Sequence, residues 1–485
     1  MKFITAEEAS KKWEIGLRTV QRMCASGKIE GAEKISNVWM IPEFAKPYSD
    51  KKTKNKVSKE EIVEAYNCFL FDNFDKYISF YSKEHSCKSQ ITKAYYCAVE
   101  SYRCFPKIDK MAAYWNESKK FLNNTNSKIP EISLTMGSHF TLGIFLYKKG
   151  IADKVSKLIS ENLPVFEYIT GHKSGLDLLF QAELAYQRGN VREAELLGYK
   201  ALFLHDNDPD IKSGISSILA HIALHKGDIK GWNTALEMMD SIINSCENEL
   251  TKMSVEIAKA ELLLSAQKVE EIPDWLKKFD FTGKKLTVTS RVNALFVHLS
   301  YLWRNKEYAR AIAFSDMLIE NSGQYYYTSS YSMLYLYIIM ALCYHKLFMD
   351  NSCIKYIKKA IEIAKADELY LPFSDYANLL DGVSDAFLKE NEPEIYEKVA
   401  KIKEGFTDNY KSIISLLKAS DLSASLSDRE KEISWLVAEG LSNAEIAEKL
   451  YISKSTVNYH IRNIFSKLGV NKRSMMIKHL YFNDK

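Results

Sequence analysis

Between about residues 60 and 420, apolar residues return every three or four positions, the period of a helix with one buried face. Short polar breaks divide this pattern: DN near 72, KKG ending at 150, RGN ending at 190, KGD ending at 228, RNKE beginning at 304 and MDN ending at 351. Several successive breaks lie near 39 residues apart, or near twice that. The spacing fits two antiparallel helices per unit and predicts stacked units that share their apolar faces. In LLFQAELAYQRGNVREAELLGYKALFLHDNDPD (178–210), Ala182, Ala194 and Ala201 stand where small side chains let paired helices approach, and Pro209 is expected to stop the second helix. YLWRNKEYARAIAFSDMLIE (301–320) and ALCYHKLFMDNSCIKYIKKAIEIA (341–364) have the same form with bulkier residues.

The pattern shortens at the carboxyl end, in LSDREKEISWLVAEGLSNAEIAEKLYISKSTVNYHIRNIFSKLGVNKR (426–473). Ser427 with Glu430 and Ser442 with Glu445 predict capping boxes, in which serine and glutamate satisfy amides left free in a first helical turn. Ser453 is a third N-cap, and Gly440 and Gly469 stop two of the helices. Ile433, Leu436 and Val437 mark one buried face, Ile446, Ala447 and Leu450 a second, and Val457, Ile461, Ile464, Phe465 and Leu468 a third. Three short helices thus converge on one small core. The gap from Leu450 to Ser453 is a tight turn, so the second and third form an angled pair of the kind that enters a major groove. Ser455, Asn458, Tyr459 and Arg462 recur on the outer side of the third helix. SMMIKHLYFN then predicts a fourth helix with Met475, Met476, Ile477 and Leu480 available to be covered.

At the amino end, FITAEEASKKWEIGLRTVQRMCASGKIEGAEKISNVWMIPEFAKP (3–47) predicts a Thr5–Glu8 capping box and a helix burying Ala9 and Trp13. After a break at Glu14 to Gly16, a second helix from Leu17 to Ser26 buries Val20 and Cys24, points Arg18, Gln21 and Arg22 outward, and ends at Gly27. Ile35, Val38 and Trp39 around Ser36 and Asn37 suit two short strands and a turn. Residues 48–59 are lysine-rich and read as a solvated linker able to brush phosphate.

Composition fits this helical reading. Nine prolines and nineteen glycines in 485 residues favour an all-α fold over a sandwich or barrel. The net charge of +4 is unevenly spread: residues 1–56 carry twelve Lys and Arg against seven Asp and Glu (+5), and residues 422–485 carry ten against seven (+3), leaving −4 for the middle. Basic ends around an acidic centre suit contact with phosphate at the ends. The eight cysteines (24, 68, 87, 97, 104, 246, 343, 353) have no CxxC or zinc spacing and follow no secretory signal, so reduced, mostly buried thiols and a cytoplasmic location are expected. Gln324 to Tyr344 carries no charge, yet its apolar part is too short for a span of roughly 20 residues, and a core helix is expected. His221 and His225 read as repeat-face histidines in preference to a metal pair, since no third ligand lies at a useful spacing. Tyr325, Tyr326, Tyr327 and Tyr331 read as packing between repeats, with a ligand groove as the alternative. No catalytic grouping, cofactor motif or metal set is found, and an enzyme is not expected.

The carboxyl-terminal segment resembles the LuxR-type helix-turn-helix along nearly its whole length. The resemblance implies that Asn458, Tyr459 and Arg462 reach bases, while Ser442, Asn443, Lys454, Thr456, Lys467, Lys472 and Arg473 hold phosphates. It also implies that Met475, Met476, Ile477 and Leu480 can pair with a second subunit. The family usually has lysine where this chain has Asn458, and asparagine prefers adenine where lysine prefers guanine, so base preference does not carry over. The amino-terminal segment is similar to the MerR/excisionase-like winged helix-turn-helix, with Arg18, Thr19, Gln21 and Arg22 as DNA-binding candidates. It has Glu14, Ile15 and Gly16 where that group often has Gly-Ile-Ser. The units of the middle resemble tetratricopeptide repeats, and with the terminal module they look like the sensor half of MalT-like regulators. Those usually carry an NTPase domain, but no GxxxxGK[ST] occurs here.

The expected architecture is a TPR-like α-solenoid (60–420) between a winged helix-turn-helix with one small hairpin (1–47), joined by the 48–59 linker, and a four-helix LuxR-type module (422–485). The expected function is sequence-specific regulation of transcription on double-stranded DNA, with a peptide, protein or small-molecule signal on the repeats. A homodimer and RNA polymerase are further partners of that kind, and no membrane is involved. The alternative is an α-solenoid scaffold whose terminal modules serve protein docking.

Overall fold

The computed structural model describes residues 3–13, 15–29, 31–35, 38–43, 45, 90–123, 125–129, 133–135, 137–205, 208–321, 329–404, 409–417, 426–468, 470 and 472–481. The expected 48–59 linker lies outside these, as do the break near 72, Cys68, Cys87, Tyr325, Tyr326, Tyr327, Gly469 and the side chain of Leu480. The described chain is helical apart from one small sheet at its amino end.

There, β1 (Phe3–Thr5) leads into α1 (Ala6–Trp13) and α2 (Leu17–Ala25), followed by β2 (Glu33–Ile35) and β3 (Val38–Pro42). Thr5 N donates to Glu8 Oε2 (2.8 Å) and Glu8 N donates to Thr5 Oγ1 (3.2 Å), closing the expected capping box. Three strands form where two were expected, in the order β1-β3-β2, because the residues ahead of α1 pair with the second edge of β3. Ala9, Val20, Cys24, Ile29 and Ile41 make the core, while Ile35 and Val38 are exposed.

The middle runs through α3 (Gln90–Arg103), α4 (Ile108–Leu122), α5 (Leu142–Phe145), α6 (Ala152–Thr170), α7 (Leu176–Gln187), α8 (Val191–Leu204), α9 (Pro209–Lys226), α10 (Ile229–Ser245), α11 (Glu249–Ser265), α12 (Asp274–Lys277), α13 (Val288–Arg304), α14 (Tyr308–Glu320), α15 (Ser330–Lys346), α16 (Asp350–Asp367), α17 (Leu371–Tyr376), α18 (Val383–Asn391) and α19 (Pro393–Lys403). Left-handed residues mark its period: Gly150, Gly189, Gly227, Gln267, Lys306 and Phe348 are 39, 38, 40, 39 and 42 residues apart. The turns from Gly189 to Phe348 share one closure. After α7, Gly189 N donates to Tyr186 O and Asn190 N to Ala185 O; after α13, Lys306 N donates to Trp303 O and Glu307 N to Leu302 O. The break passed over between 228 and 304 is the turn at Gln267, where Ala266, Gln267 and Lys268 are all good helix formers. At Gly189, a side chain would combine left-handed strain with a clash against Ile402.

Ala182, Ala194 and Ala201 are fully buried between paired helices, as expected. Pro209 does not stop a helix. α8 ends at Leu204, and Pro209 opens α9 at its first position, where the missing N–H costs nothing and Asp208 accepts from the amides of Asp210 and Ile211. The uncharged run ends in α15, a buried core helix, and no described helix is long and apolar enough to cross a membrane. Cys24, Cys343 and Cys353 are buried free thiols, and Cys97, Cys104 and Cys246 are half-buried ones.

The array is wound tightly enough for its early and late units to meet. One apolar cluster joins Tyr95, Trp115, Phe145 and Phe180 to Leu299, Leu342, Ile357 and Val399. Backbone groups cross the same seam: Ser330 N donates to Leu146 O (2.8 Å). Asp367, on the late side, accepts from Gly150 N (2.7 Å) and Ala152 N (2.8 Å), capping α6, which has no side-chain cap of its own. Glu183 caps α5 in the same way, accepting from Thr141 N, Thr141 Oγ1 and Leu142 N. Around the axis, α7, α9, α11, α13 and α15, each the first helix of its unit, line a cavity of about 310 Å³.

Candidate nucleic-acid interface

The carboxyl-terminal module contains α20 (Asp428–Ala438), α21 (Asn443–Lys449), α22 (Lys454–Leu468) and α23 (Arg473–Tyr481). Both expected capping boxes are closed, at Ser427–Glu430 and Ser442–Glu445, and Ser453 Oγ accepts from Thr456 N (3.0 Å) at the start of α22. Gly440 follows α20 with φ 90°. The turn between α21 and α22 is closed by Ile452 N donating to Ala447 O (3.0 Å), with Tyr451 left-handed and almost fully exposed at its tip. This turn fixes the angle of α22 against α21. Ile433, Val437, Ile446, Val457, Ile464 and Met476 form the dry centre of a core separate from those of the array.

The outer side of α22 carries the expected stripe. Ser455, Tyr459 and Arg462 are exposed, with Arg462 Nε donating to Asn458 O (3.4 Å), while Asn458 is half-buried. Its partner is a feature the sequence did not suggest. Asn443, at the first position of α21, donates from Nδ2 to Asn458 Oδ1 (2.8 Å) and accepts at Oδ1 from Arg473 Nη1 (2.7 Å), while Arg473 also reaches Leu441 O. Three residues assigned separately to bases and phosphates therefore form one chain across α21, α22 and α23. It holds the Asn458 amide in a fixed plane, with its own NH₂ still available to a base edge.

The other candidates fall into two groups. Ser442, Lys454 and Lys472 are exposed, and Thr456 is half-buried with its hydroxyl 2.7 Å from Ser453 Oγ. Lys467 is already committed inside the module, since its Nζ lies 2.6 Å from Oε2 of the buried Glu430. Burial raises the Glu430 carboxyl, but the Lys467 ammonium and the Ser427 donors outweigh it and hold it below its ordinary value. Lys467→Ala is therefore expected to destabilise the module by about 1–3 kcal/mol through an unpaired buried carboxylate. Thermal unfolding of the variant, read beside its DNA affinity, separates this from loss of a phosphate contact, which would leave stability unchanged. Of the candidates on α23, Met476 is fully buried in the module's own core, Ile477 packs against that core, and Met475 is half exposed.

In the amino-terminal module, Arg18, Gln21 and Arg22 are exposed on α2 and Thr19 is half-buried. Gly16 precedes α2 without any side-chain cap, as the departure at Glu14 to Gly16 implied. His221 and His225 line the cavity of the array. A carboxylate does reach them through the fold, since His225 Nε2 stands 2.8 Å from Asp375 Oδ1, yet no group of three or more metal-ligating side chains forms among the described residues. Tyr331 also lines the cavity.

Residues 424–480 match the model of the bacterial regulatory proteins of the luxR family. The nitrate/nitrite response regulator protein homolog of Haemophilus influenzae is 37% identical over 106 residues, which are 21% of this chain and 51% of that protein. The transcriptional regulatory protein LiaR of Bacillus subtilis is 36% identical over 117 residues, 23% of this chain and 50% of that protein. The probable transcriptional regulatory protein SgaR of Hyphomicrobium methylovorum is 37% identical over 90 residues, 18% of this chain and 42% of that protein. The chain thus spans about half the length of these relatives, or less. Capping boxes, angled helix pair and sequence match agree that residues 424–480 form a luxR-type helix-turn-helix domain.

Proposed function

We propose that the protein regulates transcription by binding double-stranded DNA through residues 422–485, with α22 in the major groove. The observation that carries this reading is the solvent-facing stripe of α22 held at a fixed angle by the α21–α22 turn. Asn458, Tyr459 and Arg462 read base edges, and Ser442, Lys454, Thr456 and Lys472 hold phosphates. Arg473 orients Asn443 and, through it, Asn458. The winged module of residues 1–47 adds a second DNA contact through Arg18, Gln21 and Arg22, and the array of residues 60–420 receives a signal. Two DNA-binding ends on one chain raise the effective concentration of the second contact once the first is made.

Binding of the intact chain to duplex DNA should weaken by about a hundredfold between 50 and 200 mM salt, the effect of roughly four released phosphate counterions. Arg462→Ala and Asn458→Ala should each cost about 1–3 kcal/mol on a preferred site and much less on random duplex. Titrations of both duplexes at several salt concentrations test this. Equal losses on the two duplexes would overturn the base-reading assignment. Absence of salt-dependent DNA binding would leave the terminal modules as protein-docking elements.

A further inference from the structure

The cavity at the axis of the array is lined by charged side chains of both signs. Arg304, the last residue of α13, lies with its guanidinium carbon 5.1 Å from the centroid of the Trp303 ring and has no carboxylate within ion-pair distance among the described residues. Two carboxylates line the same cavity. Glu261 Oε2 meets His139 Nε2 at 3.0 Å, and Asp375 Oδ1 lies 2.8 Å from His225 Nε2 yet is buried without a hydrogen-bond partner among the described residues. The hydroxyl of Ser374, beside Asp375 in the same wall, is buried without a hydrogen-bond partner. Between the charges the wall is aromatic and stiff, because Gln187 donates to Tyr331 OH (3.1 Å) and accepts from Tyr335 OH (3.0 Å).

A neutral ligand would leave these charges desolvated and unpaired, a simple amine would leave Arg304 so, and a simple anion the carboxylates. A molecule bearing both an ammonium and a carboxylate satisfies them, with Lys411 of the same lining a second cation for the carboxylate. One wall of the cavity is α13, whose Asn293, Phe296, Ser300 and Arg304 all face it. At about 1.5 Å per residue they span roughly 16 Å. An extended peptide advances about 3.3 Å per residue, so the length admits a few residues, and about 310 Å³ restricts them to two or three.

We propose that this cavity binds a free di- or tripeptide, its terminal carboxylate on Arg304, its terminal ammonium between Glu261 and Asp375, and its side chains among the tyrosines. The proposal rests on the array acting as the sensing part of the protein, but its test needs no DNA. Thermal unfolding of the full chain and calorimetric titration should be run with free di- and tripeptides carrying an aromatic or aliphatic residue, and with their N-acetylated and C-amidated forms. Putrescine, acetate and a neutral disaccharide serve as comparison probes. Free peptides should raise the unfolding temperature by several degrees at a hundredfold excess over Kd, and blocking either end should weaken binding about tenfold or more. Arg304→Gln should remove discrimination against the amide, and Glu261→Gln should reduce discrimination against the acetylated form. Both variants should keep the wild-type far-UV circular dichroism, and Arg304→Lys should restore part of the preference. The proposal is overturned if free and blocked peptides bind alike, if no peptide binds, or if the diamine or the disaccharide stabilises the chain in their place. Failure here would leave salt-dependent DNA binding untouched, so the two readings fall separately.

Discussion

Ile464→Ala is expected to abolish DNA binding by residues 422–485 while leaving the helical array folded. Ile464 is fully buried on the inner face of α22, in contact with the core that α20, α21 and α23 share. Truncating a buried isoleucine to alanine costs about 2–5 kcal/mol in lost transfer free energy and residual cavity. A module of this size has only a few kcal/mol of stability to lose, because small domains bury a smaller fraction of their surface. The substitution should therefore unfold α20 to α23. The array should persist, because its clusters share no residue with that core. Limited proteolysis should cleave within 428–481 first, circular dichroism should lose only that segment's helix, and DNA affinity should fall to what residues 1–47 alone supply. Undiminished affinity would mean that α22 does not carry the DNA contact.

A second large effect concerns Glu183 and pH. The side chain is buried, and burial pushes its carboxyl up to about 7 although Thr141 and Leu142 donate hydrogen bonds to it. The unfolded chain has this group near 4.5, so between about pH 4.5 and 7 the folded protein holds a proton that the unfolded protein releases. Stability from this group is fully present at the acid end of that window and declines as pH rises through it. The decline amounts to about 3 kcal/mol by pH 8. Urea unfolding of the wild type and of Glu183→Gln, followed by tryptophan fluorescence from pH 5 to pH 8, should show the wild type losing about that much relative to the variant. Parallel pH profiles would mean that Glu183 stays ionised in the fold.

Local chemistry made much of this protein legible in its sequence. The Ser427–Glu430 and Ser442–Glu445 boxes, the Thr5–Glu8 box and the left-handed turns near Gly150, Gly189 and Gly227 are interactions within a few residues, so the residues that make them stand together in the chain. The same holds for the buried face of α22, set by a helical period that tertiary contacts do not alter. Where a local signal had two readings, the sequence misled. Pro209 suits the residue after one helix or the first residue of the next, and the Asp208 cap decides for the second. The turn at Gln267 was missed because Ala266, Gln267 and Lys268 are all good helix formers, with none of the Asn or Asp that marks the breaks at 305 and 350.

What only the tertiary structure decided depends on how far the array winds. Periodicity fixes which face of each helix is buried but not the small rotation between successive units, and that rotation accumulates. It brings Asp367 to the start of α6, some 215 positions away in the chain, and joins Asp375 to His225 and Glu261 to His139. It also sets Arg304 in the same cavity wall as those carboxylates. Likewise the crossing of α21 and α22 decides that Asn443 bridges Asn458 and Arg473, and that Lys467 neutralises Glu430. Each of these contacts joins groups on different segments of the chain. Their energy depends on placement to within an ångström, which follows from packing and not from composition or spacing.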